Sequence, residues 1–140
     1  MISTNDIALN YTLGSLETTK TIAYANLNPA TDFCQAYRYC MESLLLRCPK
    51  MKVFAIMNPT PRLIECSNAE NFINAMITIC MWLGIEVIDT RKECGMTTQL
   101  NVNYNKFFAD SVHPNTDGHE LIARCIAARF IPYADKITIS

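Results

Sequence analysis

The chain has 140 residues, half of them apolar, and a formal net charge of −1. A chain of this size and composition can bury about 70% of its unfolded surface in one compact domain, which excludes a disordered tail. Lys and Arg are scattered, so the phosphate-binding patch of a nucleic-acid partner is not expected. No stretch approaches the roughly 18 apolar residues of a membrane span, and the first ten residues lack the features of a signal peptide. We expect a soluble, cytoplasmic chain, although a longer form could be secreted.

The seven cysteines form an odd set, and most fall on apolar faces of predicted helices, which favours small core residues in a reducing compartment. The sequence has no CxxC pair. The two histidines, His113 and His119, lie six apart, which does not match the i, i+4 pair of a helical zinc site. We therefore expect no metal and no cofactor.

The first predicted element is an amphipathic helix over residues 31 to 48. Asp32 and Gln35 form a capping pair at its start, and Pro49 ends it. Its apolar residues recur at helical spacing and are predicted to face inward: Phe33, Tyr37, Cys40, Leu44 and Cys48.

A βαβ unit follows. The nearly continuous apolar run 51–58 predicts a strand buried on both faces, and 85–90 predicts a second strand. Between them, a helix opens at Ser67 and ends near Gly84, a residue suited to a left-handed cap. Its inward positions are Phe72, Ile73, Met76, Cys80 and Leu83. Such a unit has a right-handed crossover in a parallel sheet, so the predicted fold class is α/β.

A last helix starts near Asp117 and meets Pro132. Its inward positions are Leu121, Ile122, Cys125, Ile126 and Phe130. The long polar connections 6–30 and 90–109 are predicted to lack regular structure. Two strands leave both sheet edges open, so we expect a further strand ending at Met1 and Ile2, more strands before it, and self-association through the exposed edge.

The candidate chemistry lies in the turn before the last helix. Asp110 and His113 are three apart, a spacing that can place a carboxylate beside an imidazole and leave the far ring nitrogen free to take a proton. Asn5, the segment 58–62 and this turn all follow strand ends, where open α/β sheets bind ligands. On residues alone, His113 could equally be a packed turn histidine, Asp110 could bond only nearby backbone amides, and Asn5 could form an Asx turn.

Three segments resemble a known family. "TND" (4–6), "KVFAIMNPTPR" (52–62) and "DSVHPNTDGHELIA" (110–123) resemble the third to fifth blocks of the SGNH, or GDSL, hydrolases, in the family's order. D-x-x-H-P-N-x-x-G is the most specific of them. The resemblance implies a three-layer α/β/α, flavodoxin-like domain over residues 1–140 that acts on a small-molecule ester. It also implies that Asp110 and His113 are catalytic and that Asn5 donates to the oxyanion.

The chain also departs from that family. The nucleophilic Ser in a G-D-S motif and the Gly of the second block do not occur, and Ser3 stands where the family commonly has Gly. We therefore expect the C-terminal part of such a hydrolase, truncated or inactive by itself. A non-catalytic binding module on the same fold is the main alternative. A flavodoxin-like phosphate binder is disfavoured because no Gly-rich loop is present.

Overall fold

The computed structural model describes residues 7, 9, 11–57, 68–96, 105–110 and 113–134 of the chain. Their regular elements, in chain order, are α1 (Leu16–Thr21), a 3-10 turn (Tyr24–Asn26), α2 (Phe33–Arg47), β1 (Phe54–Met57), α3 (Ala69–Trp82), β2 (Glu86–Asp89), α4 (Thr90–Glu93) and α5 (Thr116–Ala134). β1 and β2 pair in a small parallel sheet. The described part of the chain is therefore a mixed α/β structure.

The predicted βαβ unit is present as β1, α3 and β2. Gly84 follows α3 with a φ of 66°, the left-handed conformation expected at that position. In β1, Ala55 and Met57 are buried, whereas Ile56 is 46% exposed. The prediction that this strand is buried on both faces was therefore wrong. A continuous apolar run shows that both faces of a strand can be buried, but it does not show whether another element covers each face.

The chain divides into two compact units, Met1–Ala55 with Leu63–Val87, and Ile56–Arg62 with Ile88–Ser140. In the first unit, α2 packs on α3. The Phe33 ring meets Phe72 edge to face at 4.8 Å between centroids and stacks on Tyr37 at 5.7 Å. All three side chains are buried. Aromatic pairs in these arrangements add to the stability gained from burial, so they anchor the two helices.

The predicted capping pair of α2 is confirmed. Asp32 accepts a hydrogen bond from the Gln35 backbone amide (2.9 Å) and a second from Gln35 Nε2 (2.8 Å). The preceding chain closes over the same helix end, since the carbonyls of Thr12 and Leu13 accept from the amides of Phe33 and Cys34 at 2.9 and 3.0 Å. These bonds satisfy amides that no residue within the helix can pair.

Two predictions about this region were wrong. Residues 6–30 were expected to lack regular structure, yet they contain α1 and the 3-10 turn. Cys40 and Leu44 were expected to face the core, yet both are exposed, and the buried residues of α2 end at Tyr37. Periodicity identifies the residues that share a helix face, but not how much of that face a neighbour covers.

In the second unit, α4 contacts α5. Cys94, Met96 and Phe108 form a buried cluster against which side chains of α5 pack, among them Leu121, Ile122 and Cys125, as the helical spacing predicted. Phe130, also predicted to face inward, is 41% exposed.

Two further boundaries differ from those predicted. α5 runs past Pro132 to Ala134, so its predicted end was wrong: a proline removes one backbone hydrogen bond without forbidding a final turn. The 90–109 connection was expected to lack regular structure, but it begins with α4.

None of the described helices has both the length and the apolarity to cross a membrane. The strand proposed for Met1 and Ile2 lies outside the described residues. The assignment of residues 1–140 to one hydrolase-type domain stays a prediction.

Candidate functional site

The turn between Phe107 and Asn115 carries both predicted catalytic residues. Phe108 and Pro114 form an antiparallel bridge. On either side of this bridge, the Ala109 amide donates to the His113 carbonyl and the Asn115 amide donates to the Phe107 carbonyl, both at 2.9 Å. The turn is thus closed at its base by paired backbone, and Asp110 and His113 lie at its tip.

The side-chain contact predicted between Asp110 and His113 is present. Nδ1 of the imidazole lies 2.8 Å from Oδ2 and 3.1 Å from Oδ1 of the carboxylate. Oδ1 also accepts from the backbone amide of His113 at 2.8 Å. The Asp110 carboxylate therefore binds the ring nitrogen nearer the backbone. Its second bond, to the backbone amide of His113, holds the carboxylate beside the ring.

This geometry has a chemical consequence. An ionised carboxylate only accepts hydrogen bonds, so Nδ1 of His113 donates to Asp110 and carries the proton of the neutral ring. Nε2 then has the lone pair that can accept a proton. Both side chains are open to solvent, at 69% exposed for His113 and 55% for Asp110. A hydrogen-bonded pair at such exposure contributes little to stability, as holds even for exposed ion pairs. What the contact fixes is the tautomer and the orientation of the ring.

The start of α5 lies against the same turn. Asn115 Oδ1 accepts from the Gly118 amide at 3.0 Å, as an N-cap does, and Asn115 Nδ2 donates to the Lys106 carbonyl at 2.8 Å. The sequence resemblance includes Asn115 but assigns it no role. The sequence offered a signal, because Asn is a typical N-cap and Asn115 lies two residues before the predicted start near Asp117; the helix begins one residue earlier, at Thr116.

A second group of polar residues was missed at the end of β2. Asp89 forms a two-pronged ion pair with Arg91, with Nε–Oδ1 at 2.8 Å and Nη2–Oδ2 at 2.7 Å, and lies 3.6 Å from Lys92. The buried hydroxyl of Thr90 donates to the Met57 carbonyl at the end of β1. The rule that ligands bind beyond strand ends could have drawn attention to Asp89 and Thr90.

The pKa of Asp89 reflects two opposing effects. Burial of its carboxyl favours the neutral form and acts to raise the pKa, but the hydrogen bonds and charge of Arg91, with the charge of Lys92, outweigh it. The net result is a pKa below the usual value for Asp. The Asp89 carboxylate is therefore ionised, and its ion pairs belong to the structure at the carboxyl end of β2.

Asn5, the predicted oxyanion donor, and the segment 58–62 lie outside the described residues, so their convergence with Asp110 and His113 stays a prediction. Across the described ranges, no group of three or more His, Cys, Asp or Glu side chains could hold a metal ion.

No protein-family model and no curated protein matches the sequence. Two crystal structures are similar in fold. One, a structural-genomics target from Lactobacillus plantarum, has a TM-score of 0.71 and 18% identity, with 92% of this chain and 63% of its own length covered. The other has a TM-score of 0.71 and 21% identity, with 91% and 60% covered. At such identities the likeness shows the fold alone. The chain spans less than two thirds of the length of either structure.

Proposed function

We propose that the chain carries the general base and its orienting residue for an acyl-ester hydrolase of the SGNH, or GDSL, kind. The observation that supports this most directly is the Asp110 carboxylate on Nδ1 of His113 at 2.8 Å. A carboxylate at this position keeps the imidazole in the tautomer that accepts a proton at Nε2. The D-x-x-H-P-N-x-x-G pattern around the pair supports the family.

In the proposed reaction, a serine hydroxyl attacks the carbonyl carbon of a small-molecule ester. His113 takes the hydroxyl proton at Nε2 and returns it to the leaving alcohol. Water then attacks the acyl-enzyme, with His113 again accepting and returning a proton. Asp110 holds the ring and stabilises the imidazolium in each half-reaction. Asn5 donates its side-chain amide to the oxyanion, a contribution that typically amounts to about 10² to 10³ in turnover.

None of the six serines of this chain follows the family's G-D-S pattern. In the proposed reaction, the nucleophilic serine therefore comes from another segment. The proposal therefore requires an added segment that carries this motif and the second oxyanion donor. The three-layer α/β/α fold of the family is part of the same proposal. The greater length of the two structures that share the fold is consistent with such a segment.

The test is hydrolysis of p-nitrophenyl acetate. We expect no turnover above a buffer blank from the 140-residue chain, and turnover from a version extended by a strand, the G-D-S motif and the Gly block. His113→Ala should abolish that activity. His119→Ala is the matched control, because His119 is also exposed and lies six residues away, and it should leave the activity unchanged.

Two results would contradict the proposal. Turnover by the 140-residue chain that disappears in His113→Ala would show that a residue within it is the nucleophile. An extended version that folds and binds ester without hydrolysing it would favour the second candidate, a non-catalytic binding module. The exposed Asp110 and His113 are available to a bound molecule, which is the observation behind that candidate; for hydrolysis, the added segment would also have to exclude water from them.

A further inference from the structure

We propose that Asn115 is a positioning residue for the Asp110–His113 pair, through a hydrogen bond that capping α5 does not require. Its side chain makes two contacts in opposite directions. Oδ1 accepts from the Gly118 amide inside α5, and Nδ2 donates to the Lys106 carbonyl on the segment that leads to Asp110. One side chain thus joins the two legs of the turn to the helix that follows.

Two backbone hydrogen bonds close the base of this turn. Pro114 lacks an amide hydrogen, so its bridge with Phe108 depends on the bonds of neighbouring residues. Those bonds are the two at 2.9 Å, one of which is donated by the Asn115 amide. The bond from Asn115 Nδ2 to Lys106, at 2.8 Å, adds a third at the end farthest from the tip. Asn115 therefore makes two of the three bonds between the legs, and substitution of its side chain removes only the bond to Lys106.

The tip of the turn is open to solvent. Asp110 and His113 are more than half exposed, and they are joined by the carboxylate contacts to the ring and to the His113 amide. A shift of about 1 Å between the legs would take a 2.8 Å contact beyond hydrogen-bond range. The bond to Lys106 therefore acts on the tautomer of His113 without touching the ring.

Substitutions can separate the cap from this bond. Aspartate caps a helix about as well as asparagine and suits the positive end of the helix dipole, but its carboxylate cannot donate to the Lys106 carbonyl. Serine also caps well and is too short to do both. Asn115→Asp and Asn115→Ser thus keep the cap and lose the bond, whereas Asn115→Ala loses both.

The experiment is long-range ¹H–¹⁵N NMR of the imidazole nitrogens in the full 140-residue chain at a pH where the rings are neutral. His119, exposed in α5, is the internal reference. In the unmodified protein we expect the Nδ1–H tautomer at His113, and in Asp110→Ala a pattern like that of His119. In Asn115→Asp and Asn115→Ser we expect the same loss of the Nδ1–H tautomer, with a melting temperature within a few degrees of the unmodified protein.

Retention of the Nδ1–H tautomer in both folded variants would overturn the proposal and leave Asn115 as a helix cap only. So would its absence from the unmodified protein, because there would be no contact for Asn115 to hold. If Asn115→Asp does not fold, Asn115→Ser answers the same question. The proposal rests on the proposed function for its catalytic meaning, but the tautomer is measured without substrate. An extended version that fails to hydrolyse esters would refute the function and leave the positioning role standing.

Discussion

Gly118, in the first turn of α5, lies so close to Phe107 that a methyl group on Gly118 would overlap the Phe107 carbonyl oxygen. The Cβ of Pro114 would be 3.0 Å from the same methyl. The backbone of Gly118 is otherwise that of a helix residue. The glycine is thus needed for close approach, and the consequence can be measured.

We expect Gly118→Ala to destabilise the protein by about 1 to 3 kcal/mol, the range for overpacking a site that cannot expand freely. Helix propensity by itself predicts the opposite sign, a gain of about 1 kcal/mol. Urea unfolding followed by circular dichroism gives the difference. Ala127→Gly, at an exposed position of the same helix, measures the propensity contribution alone. A stabilised Gly118→Ala variant would contradict the close approach.

We expect Gly14→Ala to be more destabilising than Gly84→Ala. Both glycines have positive φ, 82° and 66°, which costs an alanine about 1 to 2 kcal/mol. At Gly84 a Cβ would meet nothing within 4 Å, whereas at Gly14 it would overlap the carboxyl group of Asp32. The difference in unfolding free energy between the two variants therefore measures that overlap. Equal losses would show that Asp32 moves aside at no cost.

Asp89 should make stability fall in acid. Its folded pKa lies below the unfolded value, about 3.9 for Asp, so its contribution is complete above that pH and is lost as the pH falls through the folded pKa. We expect the urea midpoint of Asp89→Asn to be lower at pH 7 and to vary less with acid than that of the unmodified protein. Asp117→Asn, which alters an exposed carboxylate of α5, is the control. Parallel acid profiles for Asp89→Asn and the unmodified protein would refute the ion pair's role.

Alkylation should distinguish the cysteines of α2. Cys40 is exposed, whereas Cys34 is fully buried, and burial together with the Asp32 charge raises the pKa of its thiol to about 11. Relative to an ordinary thiol of pKa about 8.5, this reduces the reactive thiolate at pH 8 on the order of 10²-fold, in addition to the steric protection. Peptide mapping after iodoacetamide treatment should show fast labelling at Cys40, absent in Cys40→Ser, and labelling at Cys34 that rises with pH. Equal rates at pH 8 would contradict the burial.

The features of the fold that the sequence predicted are those that depend on residues close together along the chain. The Asp32–Gln35 cap, the left-handed Gly84 and the Asp110–His113 contact each depend on residues within a few positions of one another. The type and order of the βαβ elements follow from hydrophobic periodicity, which is also local. For the candidate site, the same argument yielded the base and its orienting carboxylate, because a tight turn brings i and i+3 together whatever packs around it.

Only the tertiary structure decided which of these surfaces are covered and what holds the turn. Cys34 and Cys40 lie in the same helix, but one is buried and the other exposed, since α1 and α3 cover only part of α2. The bond of Thr90 to Met57 joins residues 33 positions apart, and the overlap at Gly118 depends on where α5 meets the chain before Asp110. Periodicity records which residues share a face. It carries no information about which segment, distant along the chain, arrives to cover that face, because packing depends on how the elements dock in three dimensions.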